Sequence, residues 1–353
     1  MLSIHPPPPT GPYGIIRQFD VLVDGKRLDP HSPLSKRRLA LDIWLPVHQN
    51  LQLVPYDERA IRFWKEADFW SENQKIELDD QLLQFGEYLS PGKSMANATE
   101  SLPVVIFSHG FGAWASFYSY IIEEIVSHGI VVVGINHTYN AGIAEFPDQI
   151  IYGRMTHFHL FKSKYAHEEQ ITWLQDLESV IEKIKTSNDV PYNLMNANQV
   201  VVMGQSFGGS TAIHACCKIP DLKGCIDLDG ALFGHKELFR TLSPLLILLG
   251  GDSIKSMKDK EAINDLADKL GITIDQANDF KECYFDRLDH ITENNSNICK
   301  IILDGADHMA FTDFIFLSKS QLFSKAPIGT KDRNLILLDI RKCVMNFLKP
   351  LIF

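Results

Sequence analysis

Cysteine is sparse in this chain and follows no plan. Six cysteines in 353 residues, two of them adjacent at Cys216-Cys217, make neither a disulfide framework nor a metal-ligand spacing, and read as buried thiols of a reducing compartment. Met1–Pro9 has no basic n-region and no apolar h-region, so no secretory signal is expected. No apolar run approaches the roughly 20 residues of a transmembrane helix. The expected location is therefore cytoplasmic, or outside the cell by a route without a cleavable N-terminal signal. Positive charge is also short: 34 Lys and Arg against 44 Asp and Glu leave a net charge of −10. That excludes a reader of phosphate backbones, which needs clustered Lys and Arg, so no nucleic-acid partner is expected. His157-x-His159 has no third ligand spaced with it and reads as two loop histidines. No metal or other cofactor is expected.

What is present points to a packed enzyme core. Hydrophobic residues make up 45% of the chain, ordinary for a globular protein, and the length suits one large α/β domain spanning residues 1–353. The most informative segment is Val200-Val-Val-Met-Gly-Gln-Ser-Phe-Gly-Gly209. Val200 to Met203 read as a buried strand, and Ser210 to Lys218 as the helix that follows. Between them, Gly204-x-Ser206-x-Gly208 has the form of the nucleophile elbow of an α/β-hydrolase. Neighbouring Cβ atoms would collide in so tight a turn, so glycine is needed two residues either side of the serine. The turn lifts the Ser206 hydroxyl clear of the sheet and aims a helix N-terminus at developing negative charge.

The elbow pattern alone is weak, and its context strengthens it. Leu102-Pro-Val-Val-Ile-Phe-Ser-His-Gly-Phe-Gly112 reads as a buried strand ending in a glycine-rich loop. In this fold such a loop supplies one backbone N–H of the oxyanion hole, and the residue after the nucleophile supplies the other. The candidates are the amides of Phe111 and Phe207. Ile301-Ile-Leu-Asp-Gly-Ala-Asp-His308 reads as a last strand and a short turn, placing His308 where the order serine, acid, histidine requires the base. An imidazole titrates near neutrality, so it takes the serine proton and later passes it to the leaving group. Two aspartates compete for the acid. Asp252 follows the strand Pro244-Leu-Leu-Ile-Leu-Leu-Gly-Gly251, after which most α/β-hydrolases carry theirs. Asp229 follows the earlier strand Gly224-Cys-Ile-Asp-Leu-Asp229, and Asp227 lies two residues before it. Taken alone, the residues lean towards Asp252.

Phe107-Ser-His-Gly-Phe-Gly112, Ser127-His-Gly129 with Val131-Val-Val133, and Gly204-Gln-Ser-Phe-Gly-Gly209 resemble the platelet-activating-factor acetylhydrolases. So do Leu228-Asp-Gly-Ala-Leu-Phe-Gly234, Gly305-Ala-Asp-His-Met-Ala-Phe-Thr-Asp-Phe314 and the opening Pro9-Thr-Gly-Pro-Tyr13. The resemblance runs in patches from Pro9 to Phe314. It implies a calcium-independent serine phospholipase or esterase that removes short or oxidised acyl chains from phospholipids. It also implies Asp229, rather than Asp252, as the acid. The chain departs from the pattern at Gln205, where the family usually has His, and at Gly230-Ala231, which replaces a small–aromatic pair. The interval from Asp229 to His308 is enlarged. Two other readings stay open: a carboxylesterase or cutinase-like hydrolase of non-phospholipid esters, and a hydrolase-fold binding protein without catalysis.

The rest of the chain supplies framing elements. Phe19–Val23 and Arg38–Leu45 read as two antiparallel strands. Residues 57–100 turn helical and aromatic, with Ile61, Trp64, Phe69 and Trp70, either as a cap near the active site or as a surface helix pair. The connection from His137 to Ala166 (Tyr139, Phe146, Tyr152, Phe158, Phe161) is a candidate acyl-binding wall. Trp173 to Lys185 is an amphipathic helix. Residues 253–297 are polar and helical in pattern, a lid, a partner contact or a solvated elaboration. Asn334 to Phe353 reads as a helix docked on the sheet, with peripheral lipid contact by Leu351-Ile352-Phe353 as the alternative. Nothing in the residues fixes an oligomeric state.

Overall fold

The computed structural model describes residues 6–48, 50–58, 86–90, 101–153, 163–233, 240–259, 272–293, 295–317 and 327–353, with 261, 263, 264, 267 and 268. Along the chain, strands β1 (Gly14–Asp29) and β2 (Ser32–Val47) precede a short pair, β3 (Gln52–Pro55) and β4 (Gly86–Leu89). Strand β5 (Leu102–Ser108), helix α1 (Ser119–Ser127) and strand β6 (Val131–Asn136) lead to a hairpin of β7 (Ile143–Glu145) and β8 (Ile150–Tyr152). Helix α2 (Ser163–Thr186), β9 (Met195–Gln205), α3 (Phe207–Lys218), β10 (Gly224–Leu228) and β11 (Leu245–Gly250) form the middle. Helices α4 (Gly251–Lys258), α5 (Ile274–Tyr284) and α6 (Asp286–Glu293), strand β12 (Ile298–Leu303), and helices α7 (Phe314–Leu317) and α8 (Arg333–Ile352) complete it.

Eight strands form one sheet in the order β1-β2-β6-β5-β9-β10-β11-β12. β1 and β2 are antiparallel, β2 joins β6 antiparallel, and every pair from β6 to β12 is parallel. This is the α/β-hydrolase fold. Both faces of the inner parallel strands β6, β5, β9, β10 and β11 are covered, which explains their apolar runs, whereas the edge strand β12 leaves Cys299 and Ile302 exposed. Val105, Phe107, Val201 and Met203 pack with residues of α1 and α8, whereas Val104, Ile106, Val200 and Val202 pack with α2 and α3. Each fully buried Val, Ile or Leu contributes about 1.5–3 kcal/mol relative to exposure. Strand order reverses at β5, between β6 and β9. The loops after β5 and β9 therefore open a crevice at the carboxyl ends of the strands, where such sheets bind ligands.

Several elements differ from the sequence reading. β1 and β2 are sixteen residues each, longer than expected because their outer turns are polar and exposed. Gly86–Leu89, expected to be helical, pairs with Gln52–Pro55 as a strand; Ile61, Trp64, Phe69 and Trp70 lie outside the described residues. Helix α2 starts ten residues before Trp173, because its buried upstream positions include a polar one, Gln170, beside Ala166. In the proposed acyl wall, Phe146 packs instead with Ala40, Ala144, Val21 and Ile151, and the Arg38 guanidinium lies over its ring at 4.4 Å. His157, Phe158, His159 and Phe161 lie outside the described residues.

Helix α8 docks by Ile336, Leu337, Ile340, Val344 and Leu348, all buried against the sheet. Asp332 caps it, accepting from the Asn334 and Leu335 amides at 3.0 and 3.2 Å. Of the terminal apolar residues, Ile352 is buried and Phe353 exposed. Among the described residues no helix is long and apolar enough to cross a membrane.

Candidate active site

Strand β9 ends in a turn that no ordinary residue sequence would tolerate. Ser206 sits at φ +55°, ψ −116°, a conformation that costs about 1–3 kcal/mol and must be held by its surroundings. Its N–H donates to the Leu228 carbonyl at 2.9 Å, tying the elbow to the end of β10. A Cβ on Gly204 would lie 2.2 Å from the Gly208 carbonyl oxygen, and one on Gly208 2.1 Å from that of Ser108. Both contacts are with backbone, which has no flexible end to move aside. Gly208→Ala is accordingly expected to lose about 1–3 kcal/mol of stability through forced backbone shifts, read as a lowered midpoint in urea unfolding. An unchanged midpoint would show that the elbow is not held against β5.

His308 begins a short 3-10 turn after β12. Its Nε2 lies 3.1 Å from Ser206 Oγ and its Nδ1 2.7 Å from Asp229 Oδ2. With a carboxylate against Nδ1, that nitrogen carries the proton, and Nε2 is left to accept from the serine hydroxyl. Burial works against the imidazolium, but the hydrogen bond and charge of Asp229, with the charge of Asp307, outweigh it and hold the His308 pKa above its ordinary 6.5. Asp229 is 1% exposed. Its Oδ1 also accepts from the Gly250 amide at 2.7 Å and the Tyr284 hydroxyl at 2.5 Å, and its Oδ2 from Ser253 Oγ at 3.0 Å.

Asp252, towards which the residues alone leaned, is engaged elsewhere. It accepts from the Thr330 amide at 2.9 Å, the Thr330 hydroxyl at 2.7 Å and Lys255 Nζ at 2.9 Å. The Lys255 and Thr330 hydrogen bonds hold its pKa below the usual carboxylate value. Asp227 lies beneath the elbow, where it accepts from the Gly230 amide at 2.9 Å. Burial first, and the neighbouring Asp229 second, push its pKa far up, so it stays neutral.

The loop after β5 meets the elbow from the other side. The Phe111 and Phe207 rings stand edge to face, 5.9 Å apart, with Trp173 behind both. Phe207 is the first residue of α3, so its N–H has no carbonyl partner within the helix. Tyr118 links the two loops: its hydroxyl accepts from the Gly110 amide at 2.8 Å and donates to Gln205 Oε1 at 2.9 Å. Gln205 Nε2 in turn lies 3.4 Å from the His308 carbonyl oxygen. The amide at this position thus reaches both the loop and the histidine.

Residues to which the motifs gave no role support this arrangement. Beneath the Phe111 loop, Ser108 Oγ lies 2.8 Å from His137 Nε2, and His137 Nδ1 lies 2.9 Å from Asp176 Oδ2. Arg37 closes the chain on Asp176 through two hydrogen bonds of 3.1 and 2.6 Å. Ser108, His137, Asp176 and Arg37 are all fully buried, so this second serine–histidine–aspartate chain meets no substrate and acts as scaffold. Asp313, of the Asp-Phe pair after His308, accepts from the Tyr56 hydroxyl at 2.8 Å and the Ser119 amide at 2.9 Å, fastening the His308 loop to α1. Burial pushes its pKa up to about 6 despite those donors. Among the described residues no group of three or more His, Cys, Asp or Glu could hold a metal ion.

Comparison with known proteins adds relatives to this geometry. A platelet-activating factor acetylhydrolase of Gallus gallus is 24% identical over 279 residues, covering 68% of this chain and 60% of that protein. A second from Cavia porcellus is 25% identical, covering 51% and 48%. A probable 1-alkyl-2-acetylglycerophosphocholine esterase of Arthroderma benhamiae is 26% identical, covering 65% and 59%. The chain spans about half to three-fifths of the length of these curated relatives. Among solved structures, a ferulic acid esterase from Streptomyces cinnamoneus superposes with a TM-score of 0.72 at 19% identity, over 99% of this chain and 93% of that one. A dienelactone hydrolase-like promiscuous phosphotriesterase from metagenomic libraries gives 0.54 at 10% identity, over 96% and 100%. At such identities the likeness concerns the fold. The family model described as platelet-activating factor acetylhydrolase, isoform II, matches residues 42–150 and 169–350, which hold both site loops, Ser206, Asp229 and His308, and the chain belongs to that family.

Proposed function

We propose that the protein is a serine hydrolase that cleaves short or modified acyl esters of phospholipids through an acyl-enzyme. The observation that carries this reading is the continuous hydrogen-bonded line from Ser206 Oγ through His308 to Asp229. In the first half-reaction Ser206 Oγ attacks the ester carbonyl while His308 Nε2 takes its proton. The oxyanion is held by the Phe111 and Phe207 amides, each worth about 3 kcal/mol of transition-state stabilisation. The tetrahedral intermediate expels the alcohol, the lysophospholipid, which leaves with the proton from His308. Water then attacks the acyl-Ser206 ester, His308 again taking and returning a proton, and the carboxylic acid departs. Asp229 orients His308 and stabilises the imidazolium. These side chains account for each proton and bond, so activity is expected to be unchanged by EDTA. The family membership and the relatives named as acetylhydrolases and esterases support the phospholipid substrate class.

The test is fluorophosphonate labelling together with hydrolysis of p-nitrophenyl esters from acetate to palmitate. Expected are a single label on Ser206, lost in Ser206→Ala, and rates that fall as the acyl chain lengthens. A flat or rising chain-length profile would favour the carboxylesterase or lipase reading. A folded protein that neither labels nor hydrolyses any ester would leave a binding protein.

A further inference from the structure

We infer that Tyr284, carried on the inserted helix α5, is a positioning residue that locks the carboxylate of Asp229 against His308. The inference deepens the hydrolase reading above and rests on it.

Asp229 stands at φ +54°, at the mouth of β10, where the torsion of a carboxylate about its last bond is broad and two-fold. Something must fix its plane for Oδ2 to face Nδ1 of His308. The donors divide cleanly: Gly250 N–H and Tyr284 OH on Oδ1, His308 and Ser253 on Oδ2. Ser253 is a contested donor, because its single proton is shared between Asp229 Oδ2 and Asp307 Oδ1, each at 3.0 Å. The hydrogen bond that Tyr284 donates is to Asp229. Burial, then the Asp229 charge, push the Tyr284 pKa far above 10, so the hydroxyl stays a donor across the working range.

The insertion is anchored to do this. Cys283, Tyr284, Leu288 and Ile291 lie in the core cluster that also holds α2 and α3. The Cys283 carbonyl accepts from the Leu232 amide at 2.9 Å, three residues beyond Asp229. Helix α5 thus reaches the acid while α6 packs into the same core cluster, a role that reading them as a lid or a solvated elaboration does not supply.

The test is Tyr284→Phe, which keeps the ring and removes the hydroxyl, and 3-fluorotyrosine placed at 284, which makes the hydroxyl a stronger donor in the same volume. The readouts are kcat, KM, the pH profile of kcat/KM on p-nitrophenyl acetate and the rate of fluorophosphonate labelling. Among the described residues, the charged and titratable groups that act on His308 and Asp229 are Asp307, Asp227 and Tyr284. Loss of one hydrogen bond to a charged group is expected to lower kcat about 10–100-fold, with KM within about twofold. Asp229 becomes the stronger acceptor for the imidazolium, so the acid limb moves to higher pH. The fluorinated residue withdraws charge from Asp229 and moves the limb to lower pH. An unmoved limb in folded Tyr284→Phe, whether or not kcat falls, would overturn the inference, as would an unmoved limb in the fluorinated protein. If the wild type itself neither labels nor hydrolyses, the hydrolase reading falls with it. A labelled, active wild type beside an indifferent Tyr284→Phe sinks this inference alone.

Discussion

Asp229→Asn is expected to lose about four orders of magnitude in kcat, while Asp252→Asn stays within about twofold of wild type. The two aspartates end neighbouring parallel strands or begin the element after them, and only their partners separate them. Asp229 lies 2.7 Å from His308 Nδ1, whereas Asp252 is taken up by Thr330 and Lys255. An asparagine at 229 turns one of its donors towards Nδ1 or towards Gly250 and Tyr284, which are themselves donors. If its amide nitrogen faces His308, the ring proton moves to Nε2, and the imidazole can no longer accept from Ser206. Such a change leaves the geometry intact and the base in the wrong tautomer.

The pH profile gives an independent reading of the same pair. In the proposed mechanism His308 acts as a base only when neutral, and its pKa is held above 6.5. Activity of the wild type should therefore fall as pH drops through a value above the ordinary imidazole range. In Asp229→Asn the hydrogen bond and the charge that oppose burial are gone, so the residual activity should persist to lower pH. The measurement is kcat/KM on p-nitrophenyl acetate from about pH 4 to 9. Loss of activity in Asp252→Asn with Asp229→Asn near normal would move the acid to the position after β11.

The largest stability effect is expected from Arg37→Met, about 3–5 kcal/mol. Arg37 is fully buried and donates to Asp176 at 3.1 and 2.6 Å, to Asp29 at 3.0 Å and to the Thr138 carbonyl at 3.0 Å. Burial works against the Asp176 charge, and the Arg37 charge, with hydrogen bonds from His137 and Arg37, overrides it and holds the carboxyl far below its ordinary pKa. Methionine fills much of the volume but leaves that charge in the core with Arg27 as its remaining cationic partner, since burial keeps His137 neutral and leaves it a hydrogen-bond donor. For a carboxylate of depressed pKa, the stabilisation is present above the unfolded pKa and lost as pH falls through the folded one. The deficit of Arg37→Met should therefore be widest near neutral pH and narrow below the ordinary aspartate pKa of 3.8, where unfolded Asp176 takes up its proton. Urea unfolding at pH 7 and at about pH 3 reads this as two midpoint shifts of different size. Equal shifts at both would mean that lost packing, not stranded charge, dominates.

Some of this site was legible residue by residue. The apolar run before Gly204 and the apolar periodicity after Ser210 are local signals, and the strand–turn–helix they define contains the steric reason for its own glycines. The loop after β5 and the turn after β12 announce themselves in the same way, because a buried parallel strand must end at the sheet edge where the site opens. Gln170 and the polar ends of β1 and β2 are hidden from local patterns for the opposite reason: a buried or paired polar residue breaks the hydrophobic pattern that marks an element.

By itself, then, the amino-acid order determined the α/β-hydrolase class and the places of Ser206, His308 and the Phe111 loop. Each depends on backbone geometry within about a dozen residues. Spacing alone left Asp229 and Asp252 open, because β10 and β11 both deliver one to the same edge and spacing is blind to direction; the family resemblance implies Asp229, and in the tertiary structure it is Asp229 that faces His308. The tertiary structure alone brought Tyr284 to Asp229 across 55 residues and Arg37 to Asp176 across 139. Such contacts follow from how the sheet twists and what packs against it, and no local run of side chains encodes them.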